Sequence, residues 1–186
     1  ALDVVSMSSQ DFIQTHAITQ PWRLIGLPSA ATTVLGLNLS SPPLDDPRVR
    51  EAIDLAVDRR ALVAGVFPGG GAEPAACLAP ATVFGHIPGP GPAAGSLQAS
   101  RRLLAEAGVG PGHELELAYS GIYRPVVDFL VASLRAVNFE VSPREVPFES
   151  YYRRIEEGGN QLYLFGWNFG FADASDFLDA VAHSRE

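Results

Sequence analysis

The stretch LNLSSPPLDDPRVREAIDLAVDRR, residues 37–60, carries the signals that decide the fold. The apolar segment that leads into it predicts a strand ending at Asn38 or Leu39, and a Pro-Pro turn follows. Asp46 suits the N-cap of a helix, and Pro47 suits the first helical position, where its missing N–H costs nothing. The predicted helix has one apolar face, formed by residues at helical spacing: Val49, Ala52, Ile53, Ala56 and Val57.

The order and spacing of these residues resemble a segment of the family 5 extracellular solute-binding proteins. That family shows, in order, Asn, a short gap, Pro-Pro, Asp, Arg-Val-Arg, an apolar helix and Asp-Arg. The matching residues are Asn38, Pro42, Pro43, Asp46, Arg48, Val49, Arg50, Ala52, Ile53, Asp58 and Arg59. Further matches are a helix pattern over residues 99–108, the pair Gly166-Trp167 and the run DASDFL that starts at Asp173. The resemblance implies a ligand-capturing subunit of an ABC importer, in which the solute lies between two lobes.

The composition limits the function classes. Hydrophobic residues make up 47% of the 186 residues and charged residues 18%, which is typical of a globular chain. The net charge is −8 and the 13 basic residues, all arginine, form no basic patch, so nucleic acid is not an expected partner. The single cysteine, Cys77, excludes an internal disulfide and a multi-cysteine metal site, and we expect it to be a part-buried apolar residue.

The two ends of the sequence indicate one lobe of a longer protein. Residues 2–7 already show a strand pattern, and the chain stops just past an apolar helix. We therefore expect residues 1–186 to be a single α/β lobe, excised from a two-lobe solute-binding protein. By the resemblance, the other lobe completes the site. The resemblance also implies a periplasmic or extracellular protein, anchored to the membrane as a lipoprotein by a signal outside this piece.

Alternating strand and helix patterns predict a mostly parallel sheet flanked by helices, because short links between them favour right-handed crossovers. The predicted strands are residues 2–7, 33–39, 114–119, 139–146 and 161–166. The predicted helices are residues 10–16, 47–57, 59–66, 124–137 and 148–157, a helix between Ser96 and Gly108, and a last helix that includes Phe177. In the helix over residues 148–157, the apolar spacing predicts that four side chains face inward: Phe148, Tyr151, Tyr152 and Ile155. Residues 73–95 are expected to form a Pro/Gly-rich loop that wraps the lobe. The resemblance implies a periplasmic-binding-protein-like type II lobe.

The stretch YLFGWNFGFADASD, residues 163–176, contains the main candidates for ligand binding. Aromatic residues occupy every second position, so an extended chain would place them on one face. They are Tyr163, Phe165, Trp167, Phe169 and Phe171. Tyr163 and Phe165 lie inside the predicted strand, and we expect them to fill the space between the sheet and a helix.

The later aromatic residues follow the predicted end of that strand. Ligands of open α/β sheets bind outside the carboxyl ends of the strands. We expect Trp167, Phe169 and Phe171 to pack on a ligand there, because a flat ring buries a large apolar area at no polar cost. Asn168 is expected to exchange hydrogen bonds with the same ligand.

Two positions depart from the peptide-binding members of the resembled family. Those members often carry an Asp three residues after this Trp, where it pairs with the α-amino group of the ligand; here that position is Gly170. Some also carry an Arg two residues before the Gly-Trp pair, and here that position is Leu164. Asp173 is a nearby ligand candidate, although capping of the last helix is its favoured role. We therefore expect no charged side chains in this lobe that would bind the termini of a short peptide. A long peptide, a sugar or another neutral ligand stays compatible with the sequence.

A second candidate site is SGIYR, residues 120–124, between a strand and a helix. Backbone amides at a helix N-terminus attract anions, and Tyr123 and Arg124 can reach outward from this position. A plain strand-to-helix turn is the alternative. Asn38, near Ser40 and Ser41, is expected to stabilise its turn by hydrogen bonds rather than to bind a ligand.

An enzyme and a metal protein are not expected. Several acidic residues permit a glycosidase-like carboxylate pair, but acidic surface helices produce such pairs freely. They are Glu149, Glu156, Glu157, Asp173, Asp176 and Asp179. The histidines lack the close spacing of metal ligands, so no metal and no cofactor is predicted. These histidines are His16, His86, His113 and His183.

The sequence as a whole predicts the substrate-binding component of an ABC importer. It would capture an extracytoplasmic peptide, or a similar small solute, between two lobes and present it to the permease subunits. Two alternatives stay open: a ligand-sensing domain of a transcription regulator, since the same fold is found fused to DNA-binding domains, and a hydrolase that uses acidic residues.

Overall fold

A computed structural model of the chain describes residues 28–68, 70–88 and 95–182. The predicted strand over residues 2–7 and the predicted helix over residues 10–16 lie outside these ranges. Within the described ranges, no helix is both long enough and apolar enough to span a membrane.

The described residues form a four-stranded mixed sheet with helices on both faces. The strands are β1 (Ala31–Leu37), β2 (His113–Tyr119), β3 (Phe139–Glu145) and β4 (Leu162–Asn168), and their order in the sheet is β1-β4-β2-β3. The helices are α1 (Pro47–Ala56), α2 (Arg59–Val66), α3 (Leu97–Glu106), α4 (Arg124–Arg135), α5 (Phe148–Glu156) and the short α6 (Ser175–Phe177), which continues as a π-helical segment, Leu178–Ala182.

The sheet is parallel except at β1, which confirms the predicted architecture. Strand β2 pairs in parallel with both β3 and β4, and β1 pairs antiparallel with β4. The connection from β2 to β3 moves one way along the sheet, and the connection from β3 to β4 moves back the other way. Right-handed crossovers therefore place α4 and α5 on opposite faces.

Each face of the sheet has its own apolar core. The first core lies under α1, α3 and α4, and its larger members are Val49, Ile53, Leu104, Leu115, Leu117, Leu130, Leu134, Leu162 and Leu164. The second core lies under α5 and α6 and includes Val83, Ala118, Val146, Tyr151, Phe165, Phe169 and Phe177. Alternate residues of β4 enter the two cores, as the period of a strand requires.

The helix ends follow the local signals of the sequence. The Asp46 side chain accepts a hydrogen bond from the Arg48 amide at 2.8 Å, and its bonds to the Arg48 side chain and amide lower the pKa of Asp46. Ser96 caps α3 by accepting from the Ala99 amide. Gly108 follows α3 with a φ of 74°, a conformation that glycine adopts without strain.

Asn38 stabilises its turn as predicted. Its side-chain amide donates to the Gly158 carbonyl oxygen at 3.0 Å, and its side-chain oxygen accepts from the Ser40 amide at 3.0 Å. Both hydrogen-bonding functions of the side chain are therefore used within the lobe.

Helix α5 differs from its prediction, because Phe148 and Tyr152 were expected to face inward and are 58% and 43% exposed. The inward stripe is Tyr151 and Ile155, one helical turn apart, and Tyr151 is buried. Phe148 and Tyr152 form the neighbouring stripe, and their rings meet edge to face with centroids 5.7 Å apart. The four residues lie on one broad face at i, i+3, i+4 and i+7 spacing, but only the Tyr151 and Ile155 side of that face packs against the second core.

The described part of the Pro/Gly-rich loop lies against the segment that follows β4. The Phe84 amide donates to the Ala172 carbonyl, and the Ala174 amide donates to the Phe84 carbonyl, at 2.8 and 2.9 Å. Cys77 is half-buried, as expected, with its sulfur 3.3 Å from Nδ1 of His86.

Ser100 offers a test of the contact between α1 and α3. This buried residue donates its hydroxyl to the Ala52 carbonyl of α1 at 2.7 Å. Ser100→Ala removes that link, and we expect the free energy of unfolding to fall by about 1 kcal/mol in urea denaturation. Ser133→Ala is the matched control, since Ser133 donates to Phe129 within its own helix at 2.9 Å. Equal losses in the two variants would contradict a specific link between the helices.

Candidate functional site

The carboxyl ends of β2, β3 and β4 lie together at one side of the sheet, which we call the carboxyl edge. It consists of residues 119–124, 145–148 and 166–176, with the start of β1 beside β4. The turn after β2 leads to α4 on one face, whereas the segments after β3 and β4 lead to the other face. Open α/β sheets bind ligands where neighbouring connections diverge in this way.

Trp167 lies within β4, not after it, so the predicted strand end at residue 166 is wrong. Strand β4 continues to Asn168, and Trp167 is paired with Thr32 of β1. The pairing of β4 with β2 stops earlier, at Leu164. Trp167 therefore still lies beyond the parallel part of the sheet, on a two-stranded extension formed by β1 and β4.

The Trp167 side chain is held by two residues from the segment after β4. Its indole Nε1 donates to Oδ2 of Asp176 at 2.9 Å, and the Gly170 amide donates to the same oxygen at 3.1 Å. Its ring meets Phe177 edge to face, with centroids 5.4 Å apart. The half-buried indole is thus fixed in orientation at the carboxyl edge.

The other ligand candidates near Trp167, which are Asn168, Phe169 and Phe171, are divided between the core and the surface. Phe169 is 9% exposed and packs on Phe177, so only a small part of its ring is open to a ligand. Phe171 is 56% exposed, and Asn168 is also exposed. Ligand contact by these three residues stays a prediction, with Phe171 and Asn168 the more accessible.

Tyr163 and Phe165 fill the space on the inner face of β4, as predicted. Their rings stack with centroids 5.8 Å apart, and Phe165 stacks in turn on Phe177 at 6.4 Å. The Tyr163 ring lies over Gly36, where a Cβ would collide with it. Burial raises the pKa of the Tyr163 hydroxyl.

Tyr123 faces the sheet and not outward. It ends a short 3-10 turn, Gly121–Tyr123, and its hydroxyl lies against Gly166 of β4. Burial raises the pKa of Tyr123, and the nearby Tyr152 hydroxyl adds to the effect. Tyr151, from the opposite face, has its hydroxyl 2.6 Å from the Leu164 carbonyl oxygen. Two tyrosine hydroxyls therefore lie close to backbone groups of β4 near the point where it leaves β2.

Arg124, at the start of α4, is engaged within the lobe. Its Nε donates to Asp128 at 2.9 Å, and another nitrogen donates to the Tyr119 hydroxyl at 3.1 Å. Both hydrogen bonds raise the pKa of Arg124, and the bond to Asp128 has the larger effect. The Tyr119 hydroxyl in turn lies 3.4 Å from a carboxylate oxygen of Glu145 at the end of β3. This chain of polar groups crosses the carboxyl edge, and Arg124 remains exposed within it.

Asp173 lies one residue before Ala174, the N-cap of α6, and makes a local hydrogen bond rather than the predicted side-chain cap. Its carboxylate accepts a hydrogen bond from the Ser175 amide at 2.9 Å, just before α6. Hydrogen bonds from the Ser175 backbone and side chain lower the pKa of Asp173. Within the described ranges, no group of three or more His, Cys, Asp or Glu residues is arranged to hold a metal ion.

Sequence reasoning missed several residues of the carboxyl edge. Asp176 was noted only as one surface carboxylate among many, although it holds Trp167. Ile122, Phe148 and Tyr152 are exposed apolar or aromatic side chains in or beside the turns that follow β2 and β3. Phe148 and Tyr152 were assigned to the core by helical periodicity, and the actual stripe on α5 could not be chosen from sequence alone.

The fold and the carboxyl edge define a lobe of the type II periplasmic-binding class. A family model described as "Bacterial extracellular solute-binding proteins, family 5 Middle" matches residues 1–186, so the chain belongs to this family. Members of the family are solute-binding proteins and not enzymes, and they are periplasmic or extracellular. The predicted family and fold class are confirmed.

Individual relatives agree with the family match. The dipeptide-binding protein of Escherichia coli (strain K12) is 26% identical over 162 residues, covering 83% of this chain and 30% of that protein. Heme-binding protein A of Haemophilus influenzae is 24% identical over 157 residues, covering 81% and 28%. A solved periplasmic binding protein of Helicobacter pylori, in complex with the peptide STSA, has a TM-score of 0.76 at 24% identity, covering 81% and 29%, which shows the shared fold. The chain spans about three tenths of the length of these relatives.

Proposed function

We propose that this chain is one lobe of the substrate-binding component of an ABC importer. The full protein would capture a peptide, or a similar small solute, between two lobes outside the cytoplasm and present it to permease subunits. Family membership and the oriented Trp167 at the carboxyl edge carry this proposal. The named ligands of relatives, among them dipeptides, heme and glutathione, favour a peptide without restricting the site to one.

The proposed mechanism needs no covalent chemistry. A ligand that contacts both lobes stabilises the closed arrangement over the open one, and the transporter distinguishes the two. The carboxyl edge would supply one half of the contacts, with Trp167, Asn168 and Phe171 the most accessible candidates. Residues 1–186 would form this single lobe, residues 73–95 would wrap it, and the full protein would be anchored as a lipoprotein.

Trp167→Ala tests the proposal in the full-length protein. A thermal-shift screen against peptides, sugars and metal chelates first identifies a ligand, and calorimetry then measures its affinity. We expect the variant to bind roughly 30-fold more weakly, because a buried tryptophan contact is worth about 2 kcal/mol or more. Trp167→Phe, which keeps a ring but lacks the N–H, should lose less.

Different outcomes of this experiment test the position of the ligand site and the proposed function. An unchanged affinity in a folded Trp167→Ala protein would remove Trp167 from the site. Failure of every compound class to bind, or turnover of a peptide or oligosaccharide into products, would contradict the proposed function itself.

A further inference from the structure

We propose that Phe84 and Ile87 form an apolar contact with the second lobe when the two lobes close around a solute. The inference rests on the proposed function, because it requires a second lobe in the full-length protein. It adds a contact between the lobes themselves, outside the ligand site, and this contact favours closure whatever solute is bound.

Phe84 and Ile87 are the most exposed large apolar residues in the ranges that the structure describes, with exposed fractions of 79% and 75%. A single exposed apolar side chain is ordinary on a protein surface. These two, however, lie three residues apart on one loop, residues 77–88, which contains no acidic residue, lysine or arginine. The loop therefore suits an apolar partner surface, because the core of a protein interface is depleted of charged residues.

The backbone of this loop is fixed by contacts within the lobe. Val83 is buried in the second core, and its carbonyl accepts a hydrogen bond from the His86 amide at 3.2 Å. The Thr82 hydroxyl donates to the Ser29 carbonyl at 3.1 Å. A partner that meets such a preorganised loop costs it little conformational entropy, which favours association.

The position of the loop identifies the second lobe as the partner. Phe84 exchanges two backbone hydrogen bonds, at 2.8 and 2.9 Å, with Ala172 and Ala174, which belong to the carboxyl edge. Phe171, just before them, is 56% exposed. In the proposed function, the carboxyl edge is the side that the second lobe approaches, so a lobe that closes over this edge also meets the loop joined to it. The relatives are about three times as long as this chain, which leaves enough protein to supply the opposing surface.

An apolar contact made only in the closed arrangement changes the equilibrium between open and closed lobes. The apparent affinity for a solute is proportional to the fraction of protein in the competent arrangement. Loss of the contact therefore weakens the binding of different solutes by the same factor, whereas loss of a ligand contact affects each solute differently.

Hydroxyl-radical footprinting of the full-length protein tests the contact directly. A random tripeptide pool is first equilibrated with the protein, and two retained peptides of different sequence, identified by mass spectrometry, serve as probes. The labelling rates of Phe84, Ile87 and Leu39 are then measured without peptide and at saturation with each peptide. Leu39 is the control, since it is 57% exposed and follows β1 at the opposite end of the sheet.

We expect both peptides to slow the labelling of Phe84 and Ile87 by about threefold or more and to leave that of Leu39 unchanged, because closure removes only the first two from solvent. In calorimetry, Phe84→Ser should weaken both peptides by the same factor, about fivefold or more, and Leu39→Ser should change neither by more than about twofold. Both variants alter exposed side chains, so their melting temperatures should stay close to that of the wild type.

Unchanged labelling of Phe84 and Ile87 in a protein that binds both peptides would overturn the inference alone, as would unequal effects of Phe84→Ser on the two peptides. Slow labelling before any peptide is added would mean that the loop is always covered, and protection that rises with protein concentration would assign it to a second copy. Either result would also overturn the inference. Retention of no peptide from the pool would overturn peptide capture and this inference with it.

Discussion

Replacing Phe177 with alanine should lower the free energy of unfolding by about 3–5 kcal/mol, the usual cost of removing a buried phenylalanine. Phe177 is 3% exposed and lies at the centre of the second core. Its ring centroid is 6.4 Å from that of Phe165, 5.4 Å from that of Trp167 and 6.3 Å from that of Phe169. The cavity left by truncation would border all three rings, so they could not close it by a single small shift.

The same substitution should weaken ligand binding, because Trp167 would lose the ring that it packs against while keeping its hydrogen bond to Asp176. Urea denaturation gives the stability, and calorimetry under conditions where the variant is folded gives the affinity. Phe171→Ala is the control for stability: its ring is 56% exposed, and the loss should stay within about 0.5 kcal/mol. A Phe177→Ala protein that is nearly as stable as the wild type would contradict the central position of this ring.

The elements that could be predicted from sequence are those whose signals are local. Helix α1 has its cap at Asp46, a proline at the first helical position and an apolar face, all within about a dozen residues of chain. Ser96 and Gly108 mark the ends of α3 in the same way. Such signals act through neighbouring backbone groups, so they do not depend on the rest of the fold.

The end of β4 could not be predicted, because its last residues are held by a distant strand. Trp167 and Asn168 pair with Thr32 and Ala31, more than 130 residues earlier in the chain. The predicted strand stops at Gly166, whereas Gly166 is an internal strand residue that leaves room for the Tyr123 hydroxyl. Contacts of this kind depend on tertiary structure and leave little trace in local propensity.

The candidate site was predictable only in part. The alternating rings made Trp167 a candidate, and the position of Gly170 was noted as a missing carboxylate. Asp176, whose Oδ1 would lie 3.7 Å from a Cβ at position 170, could not be connected with it from spacing alone. The connection depends on the path of residues 169–175, which is set by backbone contacts with the loop that contains Phe84.

Gly166→Ala should destabilise the protein by roughly 2 kcal/mol, and by only about 0–1 kcal/mol when it is made in a Tyr123→Phe background. The φ of Gly166 lies outside the left-handed region, so the backbone itself tolerates a side chain. The obstacle is the Tyr123 hydroxyl oxygen, which an added Cβ would overlap, whereas the adjacent ring carbon Cζ is 3.5 Å away, an ordinary contact. Removing that oxygen therefore makes room for the methyl group.

The two substitutions should be coupled in a double-mutant cycle measured by urea denaturation. Tyr123→Phe alone removes a half-buried hydroxyl that lies against Gly166, at a cost of about 1 kcal/mol. The double variant should then be less destabilised than the sum of the single variants by about 1–2 kcal/mol. Gly110→Ala is the matched control, since nothing lies within 4 Å of a Cβ there, and its effect should stay within about 0.5 kcal/mol. Additive losses would mean that Tyr123 does not lie against Gly166, and that the carboxyl edge is packed differently between β4 and the turn after β2.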